Sequence, residues 1–443
     1  MHEDVRIESL AYTGAGIAHL ATGKTVFVRD GLPGDLVRIL IQDERDRFAR
    51  AAIDELLEPS PERVDPPCPY HASCGGCGLQ RLSYDAQLRW KRRFVVDALK
   101  RIGCFDDAEE LVGSVVASKR PWGYRNRVEM EPLRRGKGLA LGFHGVDDSA
   151  VVPVERCLLL PNGFAELPAR LAGALSYALG GAAVLDGQSA QSSVLRRVGV
   201  RVSQTTGDVE LALWTHPGPC NRAFVAKVLA DVLTNSSIVR VLTAGALEKR
   251  DIRKVEVLSG RGFWRENLGD FCYRVSAPSF FQVNSPVAAL LIERVLADVE
   301  PDGKRVADLY SGVGTFTLPL AQRAQQVSAI EMVGSAIRDL RRNLDDAGLD
   351  ADALGGDVER LLPQVGTLDC AVVDPPRSGL AKGALHAIVQ AAPHTLVYVS
   401  CDPATLARDL RALVEQGYRL TSATPFDLFP QTWHIETVAR LTR

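Results

Sequence analysis

Two residues near the end of the chain have side chains suited to covalent chemistry. Cys401 follows the apolar run HTLVYVS and precedes Asp402 and a helical pattern, so its thiol lies where a strand ends and a helix begins. The positive end of a helix dipole favours the thiolate, the nucleophilic form of cysteine. Glu436, in the segment FPQTWHIE, could bring a carboxylate base to the same pocket. A buried structural cysteine and a surface glutamate are the alternatives.

The tetrapeptide DPPR, residues 374–377, ends the preceding strand pattern. A similar D/N-P-P sequence with a final aromatic residue occurs in methyltransferases that act on amino groups, whose nitrogen is already nucleophilic. Here Arg377 takes the aromatic position, and a cysteine follows one strand later. Carbon 5 of uracil needs activation: a thiolate that adds to carbon 6 creates an enolate able to attack a methyl sulfonium. A base then removes the C5 proton. Cys401 and Glu436 are the minimum set for that reaction.

A glycine-containing turn, DLYSGVGTF, indicates a cofactor site. Asp308 ends a strand, and Gly312 and Gly314 let the backbone pass close to a ligand. Glu331 ends the next strand and Asp357 follows a later Gly-Gly pair. Three carboxylates at successive strand ends suit S-adenosylmethionine, with its ribose, amine and sulfonium, better than an anionic dinucleotide. A plain role in strand–turn–helix packing is the alternative.

A second set of residues has metal-ligand spacing. Cys68, Cys74 and Cys77 fall within ten residues, with two glycines between the last pair. Cys157 is the best fourth candidate, and His71 inside the loop could replace one thiol. Four thiols can close either a zinc site or a [4Fe–4S] site, and the spacing leaves both open. Either would fasten the first linker to the middle of the chain.

The element patterns predict three domains. Residues 1–60 contain short strands separated by glycine turns, typical of a small OB-like β-barrel, with a helix expected at 46–57 on propensity. Residues 61–275 form a central mixed α+β domain that begins with an amphipathic helix at 81–103. From 276 to 443, strands alternate with helices, which predicts an α/β domain with a parallel, doubly wound sheet.

Composition places the chain among ordinary globular proteins. Of 443 residues, 46% are hydrophobic, and 52 basic residues nearly balance 54 acidic ones, which argues against wholesale coating of a polyanion. The chain shows neither a membrane-length apolar run nor a signal-peptide pattern, and nine cysteines do not suggest a disulfide framework. We expect a cytoplasmic protein without membrane contact, and a monomer by default.

Together these patterns resemble the RNA uracil-C5-methyltransferases, in the branch with an N-terminal TRAM domain and a [4Fe–4S] cluster. The resemblance covers nearly the whole chain. The motifs that carry it are Cys68…Cys74-Gly-Gly-Cys77 with Gln80, FFQVN at 280–284, DLYSGVGTF, DPPRSGL, VSCDPATLARDL and FPQTWHIETV.

The resemblance implies a Rossmann-like class I methyltransferase domain and a role for each motif residue. Cys401 is the expected nucleophile and Glu436 the expected base. The resemblance favours an iron–sulfur cluster over zinc, and its ligands would be Cys68, Cys74, Cys77 and Cys157. The substrate-binding residues would be Asp374, Phe280 and Arg377. The cofactor-binding residues would be Gln282, Asp308, Tyr310, Gly312, Gly314, Glu331, Asp357 and again Asp374.

Three positions depart from the family pattern. Ser311 stands where a cysteine is common, and only the turn is needed there. Asp402 replaces the usual asparagine after the nucleophile, and its carboxylate is expected to raise the thiol pKa. Trp433 stands where a small or polar residue is usual and is expected to shape substrate entry.

RNA is the expected partner, and its target base must be flipped out of the fold to reach a thiolate. Candidate binding surfaces are the helix with Arg89, Lys91, Arg92 and Arg93, the segment 120–127 with Trp122 and Tyr124, and the N-terminal barrel. Solvated charged faces are the alternative for the basic runs.

Other functions compete with this interpretation. An RNA cytosine-C5-methyltransferase also forms a cysteine adduct, but it typically carries a second cysteine in a Pro-Cys dipeptide, and the DPPR loop has none. A non-catalytic RNA-binding or folding protein is the alternative of another class. Large-subunit 23S rRNA is the expected target, with the T-loop of tRNA second.

Overall fold

The computed structural model describes residues 2–146, 150–189, 192–244 and 251–443. The strands are β1 (His2–Arg6), β2 (Ser9–Leu10), β3 (Gly16–His19), β4 (Thr25–Arg29), β5 (Leu36–Glu44), β6 (Phe48–Glu58), β7 (Arg127–Arg135), β8 (Gly138–His144), β9 (Val151–Pro153), β10 (Leu195–Val202), β11 (Val209–Thr215), β12 (Ser236–Ala244), β13 (Asp251–Ser259), β14 (Trp264–Leu268), β15 (Phe271–Val275), β16 (Arg305–Leu309), β17 (Gln326–Glu331), β18 (Asp352–Gly355), β19 (Cys370–Val373), β20 (Thr395–Ser400), β21 (Arg419–Phe426) and β22 (Glu436–Thr442). The α-helices are α1 (Tyr84–Arg101), α2 (Ala108–Leu111), α3 (Leu167–Leu179), α4 (Arg222–Ala230), α5 (Ser285–Val299), α6 (Thr317–Ala321), α7 (Gly334–Ala347), α8 (Val358–Leu361), α9 (Lys382–Ala391) and α10 (Pro403–Glu415). Within the described ranges, none of these helices combines the length and apolar character needed to cross a bilayer.

The N-terminal sheet, β1 to β6, has the strand order β1-β5-β6-β4-β3-β2 and confirms the predicted strand-rich first domain. The helix predicted at 46–57 is wrong, because this segment forms β6. β6 pairs antiparallel with β5 and parallel with β4, and its Ala49 and Ala51 are buried on the inner face. Two partner strands satisfy the backbone of β6, which outweighs the few tenths of a kcal/mol per residue of helix propensity.

The central sheet confirms the predicted mixed α+β region. Its strand order is β13-β12-β11-β10-β7-β8-β9, with β11 and β12 parallel and the other described pairs antiparallel. Helix α3 buries Leu171 and Leu175 against the sheet residues Val198 and Val200. The hairpin of β14 and β15 then leads into the last domain.

The last sheet has the order β18-β17-β16-β19-β20-β22-β21, with five parallel strands and an antiparallel β22 beside β20. Successive strand residues face opposite sides, so Val306 packs into the core beneath α5 and Ala307 into the core beneath α10. Helices cover both faces, which confirms the doubly wound parallel fold. All carboxyl ends of its parallel strands therefore meet at one edge.

Helix α1 packs into this last domain rather than onto the central sheet. Its Val95, Val96 and Leu99 share a buried cluster with Leu406 and Leu410 of α10. Most of the amphipathic pattern at 81–103 is thus explained by packing against the helices of the last domain. The boundaries at 60 and 275 remain predictions.

Candidate active site

Cys401 lies between the end of β20 and the start of α10, and its side chain is partly buried. Burial, and then the neighbouring Glu436, raises the pKa of its thiol to about 12, although Arg377 acts in the opposite direction. The thiolate predicted from the helix dipole is therefore not the resting form. Asp402 caps α10 by accepting hydrogen bonds from the backbone N–H of Ala404 and Thr405, at 3.0 and 2.9 Å. The raised thiol pKa is thus due first to burial and Glu436, not to the Asp402 substitution.

Glu436 reaches the same pocket through strand pairing. In the antiparallel ladder of β20 and β22, Ser400 pairs with Thr437, so the next residues at this edge, Cys401 and Glu436, come side by side. The Glu436 side chain is buried. Burial, and then the Asp374 carboxylate, raises the pKa of Glu436 well above 4.5, while Arg377 lowers it. The predicted nucleophile and base therefore share one desolvated site.

The DPPR loop supplies the positive charge of this site. Its backbone is tied to α10, because Thr405 Oγ1 donates to the Arg377 carbonyl at 3.1 Å and Arg408 donates to the Ser378 carbonyl at 2.9 Å. The Arg377 guanidinium lowers the pKa of both Cys401 and Glu436. Arg377 can therefore stabilise a thiolate that burial disfavours.

His434 is a site residue that the sequence analysis missed. Burial, and then Arg377, lowers the pKa of His434 to about 4, so its imidazole is neutral near pH 7. The ring lies 5.9 Å from Phe429 and 5.7 Å from Trp433, centroid to centroid. Its position two residues before Glu436 in FPQTWHIE was the available signal. A neutral imidazole here can exchange hydrogen bonds with a bound base.

Three carboxylates line the strand ends beside the reactive pair. Asp308 is the next-to-last residue of β16 and is fully buried; Thr317 Oγ1 donates to its Oδ2 at 2.5 Å, and its Oδ1 is buried without a partner. Burial, and then repulsion among these carboxylates, raises the pKa of both Asp308 and Asp374 to about 7. Glu331 accepts from the backbone N–H of Gly312 at 2.9 Å and Val333 at 2.6 Å. This concentration of acidic groups suits a cationic ligand.

The turn after β16 contains three residues with positive φ, two of which are glycines. Tyr310 and Gly312 have φ of 63° and 58°, and Gly314 has φ of 97°. A Cβ at Gly314 would stand 2.6 Å from Leu340, so this glycine is needed for packing. A Cβ at Gly312 would meet nothing within 4 Å, so the backbone there faces open space. Gly312 is thus the position where a ligand can approach the chain.

The remaining predicted ligand residues lie around this edge in different environments. Asp357 is exposed and caps α8 by accepting from the backbone N–H of Glu359 at 2.8 Å. The Gln282 side chain is buried, and the Gln282 backbone carbonyl accepts from Asn126 Nδ2 at 2.9 Å. Phe280 is 60% exposed and lines a cavity of about 760 Å³. Met332, 68% exposed next to Glu331, was not predicted and offers an apolar surface beside the strand-end carboxylates.

The four candidate metal ligands line one cavity of about 760 Å³, which also contains Arg377 and His434. Those ligands are Cys68, Cys74, Cys77 and Cys157. In the part of the chain that the structure describes, no three His, Cys, Asp or Glu side chains stand close enough to hold a single metal ion. Zinc and an iron–sulfur cluster therefore both stay predictions for these cysteines.

The prediction of an RNA-binding surface on α1 is wrong for Lys91. The other three basic residues of this surface form ion pairs. Lys91 is fully buried and paired with Asp427, because it lies on the face of α1 that packs inward. The neighbouring arginines are paired with acids: Arg89 with Glu62, and both Arg92 and Arg93 with Glu109. From the segment 120–127, Tyr124 is buried, whereas Trp122, Arg125 and Arg127 line the main cavity.

Comparisons with known proteins agree with this site. Residues 252–353 and 365–443 match the sequence model of tRNA (uracil-5-)-methyltransferases, and residues 2–53 match the TRAM domain. An RNA methyltransferase of Bacillus cereus is 34% identical, with alignment over 99% of this chain and 96% of the relative. The chain belongs to the tRNA (uracil-5-)-methyltransferase family. It is an S-adenosylmethionine-dependent RNA (uracil-C5) methyltransferase with an N-terminal TRAM domain.

Other family members support the same assignment. An RNA methyltransferase of Gloeobacter violaceus is 35% identical over 99% of this chain and 96% of its own. Among solved structures, the tRNA (uracil-54, C5)-methyltransferase of Pyrococcus abyssi, in complex with S-adenosyl-L-homocysteine, superposes with a TM-score of 0.76. It shares 28% identity and covers 99% of this chain and 100% of its own. The class I methyltransferase fold expected from the family resemblance is thereby confirmed.

Proposed function

We propose that this enzyme methylates uridine through a covalent adduct between Cys401 and carbon 6 of the base. The observation that carries the proposal is the register of β20 and β22, which brings Cys401 and Glu436 together in one buried pocket. Carbon 5 gains nucleophilic character only after a nucleophile adds to carbon 6. A thiol and a carboxylate side by side meet both requirements of that route.

The proposed steps use the chain's own groups. Cys401 loses its proton to solvent, and Arg377 stabilises the thiolate, which adds to C6 and pushes the C5=C6 electrons into an enolate. C5 then takes the methyl group of S-adenosylmethionine, and S-adenosylhomocysteine leaves. Glu436 removes the C5 proton, the double bond re-forms, and the C6–S bond breaks to return the thiolate. Glu436 must be ionised for this last step, so Arg377 also supports the base.

We assign the methyl donor to the carboxylate edge formed by Asp308, Glu331 and Asp374. The buried, unpartnered Oδ1 of Asp308 and the open space at Gly312 fit a cationic ligand that approaches the backbone closely. Tyr310, Gly314, Asp357 and Gln282 complete this proposed site. We expect the exposed Phe280 to stack on the flipped uridine, with Asp374 and Arg377 as the polar contacts of the base.

We also propose that Cys68, Cys74, Cys77 and Cys157 hold a [4Fe–4S] cluster. The four thiols line one cavity, and four cysteine thiolates are the ligand set of a [4Fe–4S] cluster. The cluster would join the 68–77 loop to the 157 segment and support the wall of the cavity. No step of the methylation passes through it.

Two RNA targets follow from different observations. The family resemblance of the sequence, with its TRAM domain and cysteine set, favours a uridine of 23S rRNA. The similarity to the Pyrococcus abyssi enzyme, whose substrate is uracil 54 of tRNA, favours the T-loop uridine as the second candidate.

A trapping experiment tests the mechanism and the target together. The enzyme is incubated with S-adenosylmethionine and 5-fluorouridine-substituted 23S rRNA or tRNA, alongside Cys401→Ala. Fluorine cannot leave as a proton does, so the adduct accumulates as a shifted band on a denaturing gel. We expect the band with wild type only, and the RNA that traps identifies the target. A shifted band that persists in Cys401→Ala, or none with either RNA, would refute the Cys401 adduct.

A further inference from the structure

The turn between β2 and β3 of the N-terminal sheet reaches the active site. Tyr12 lies in this turn, and its Oη donates a hydrogen bond to the carbonyl oxygen of Cys401 at 3.4 Å. The Tyr12 ring stands edge-on to Phe94 of α1, with centroids 5.6 Å apart and an interplanar angle of 84°. Helix α1 thus supports the ring while the hydroxyl contacts the peptide of the nucleophile.

The same turn is seated against the segment that carries the base. A Cβ at Gly14 would stand 3.1 Å from the indole of Trp433, and a Cβ at Gly78, next to Cys77, would overlap it at 2.2 Å. The backbone N–H of Leu79 donates to the carbonyl of Gln431 at 2.9 Å. Trp433 therefore fits against two glycines, which fixes the turn relative to the catalytic segment.

The pKa of the Tyr12 phenol responds to burial and to the neighbouring titratable groups. Burial, then Asp402 and Cys401, raises the pKa of Tyr12 above its ordinary value, while Arg377 opposes them. Glu436 also raises the pKa of Tyr12. The hydroxyl accordingly stays protonated and remains a hydrogen-bond donor at physiological pH.

We propose that Tyr12 is a positioning residue of the active site, supplied by the TRAM domain, which holds the Cys401 peptide in the orientation required for attack. The inference rests on the proposed nucleophilic role of Cys401. That peptide joins β20 to α10, so its orientation sets the direction of the Cα–Cβ bond and of the thiol. A small misplacement of a nucleophile lowers the rate of attack strongly. The TRAM domain then contributes to the chemical step, beyond any binding of RNA.

The test compares Tyr12→Phe with Tyr418→Phe. Each change deletes one hydroxyl that donates to a backbone carbonyl; Tyr418 donates to Pro393 at 3.0 Å, at the opposite end of β20. We expect Tyr12→Phe to lower the single-turnover methylation rate about 2- to 10-fold, with the Kd for RNA and the Tm unchanged. Tyr418→Phe should lower the Tm by about 2 °C and leave the rate unchanged.

A second readout does not depend on methylation. Alkylation of Cys401 by iodoacetamide, followed by mass spectrometry of its peptide, should be at least about twofold faster in Tyr12→Phe, because the freed peptide admits solvent to the thiol. Equal alkylation and equal single-turnover rates in Tyr12→Phe and wild type would overturn the inference. So would a defect confined to RNA affinity. Failure of wild type to trap 5-fluorouridine RNA would instead refute the proposed function, and the alkylation comparison would still decide the role of Tyr12.

Discussion

Lys91 Nζ donates to Asp427 Oδ1 at 2.5 Å, and neither side chain is exposed to solvent. The pair joins α1 to the segment that leads to Glu436, the proposed base. Lys91 also donates to the Phe429 carbonyl at 3.0 Å, and Tyr84 Oη donates to Asp427 Oδ2 at 2.9 Å. A buried polar network therefore holds the segment 427–436 against α1, a helix far from it in the sequence.

Replacing Lys91 with Met should lower the free energy of unfolding by about 3–5 kcal/mol, because it leaves the Asp427 charge buried without its cation. Urea denaturation measures the loss. Arg89→Met is the matched control on the same helix: Arg89 pairs with Glu62 but is 61% exposed, so its change should cost less than about 1 kcal/mol. Similar losses for the two variants would contradict the structural role of the pair.

Replacing Arg377 with Ala should slow alkylation of Cys401. The guanidinium is the group that opposes the raised pKa of this thiol, and without it the thiolate fraction at pH 8 falls, by about 3- to 10-fold. Arg377→Lys keeps the charge and should retain part of the reactivity. Mass spectrometry of each cysteine peptide reports the rates. The exposed Cys104 serves as the internal control, and an equal slowing there would refute a local effect.

Affinity for S-adenosylmethionine should rise from about pH 6 to about pH 8. Burial and mutual repulsion raise the pKa of Asp308 and Asp374 to about 7, so both carboxyls bind protons below neutral pH. A cationic ligand favours their ionised forms, and binding should release protons. Calorimetry in two buffers of different ionisation enthalpy counts them. Asp308→Asn should weaken binding and flatten the pH dependence, and a flat profile in wild type would contradict the assignment.

Protein purified without oxygen should contain about four irons and four sulfides per chain. Cys157→Ser removes one of the proposed ligands and should abolish the visible absorption of the cluster, whereas Cys104→Ser should leave it unchanged. Elemental and sulfide analysis check the composition. One zinc per chain without sulfide would refute the cluster and indicate a zinc site. A metal-free protein with ordered cysteine loops would refute both the cluster and the zinc site.

Local patterns in the sequence were sufficient for the catalytic half of the molecule. The alternation of strands and helices after residue 276 predicted the doubly wound sheet, because strand and helix periodicities are properties of short segments. Motif residues at strand ends, such as Asp308, Glu331 and Cys401, were expected at one edge, because parallel strands place their carboxyl ends together. The order of the motifs also pointed to the family, and the comparisons confirmed it.

Only the tertiary structure decided which groups are buried and which distant segments meet. Lys91, in a basic run typical of a surface, is an interior cation because Asp427 faces it from 336 positions away. Segment 46–57 has helix-forming residues, yet two neighbouring strands hold it as β6. Tyr12 and His434 belong to the site because the N-terminal sheet and the catalytic segment fold onto Cys401. Burial and long-range hydrogen bonding depend on partners remote in the chain, and periodicity within one segment carries no information about them.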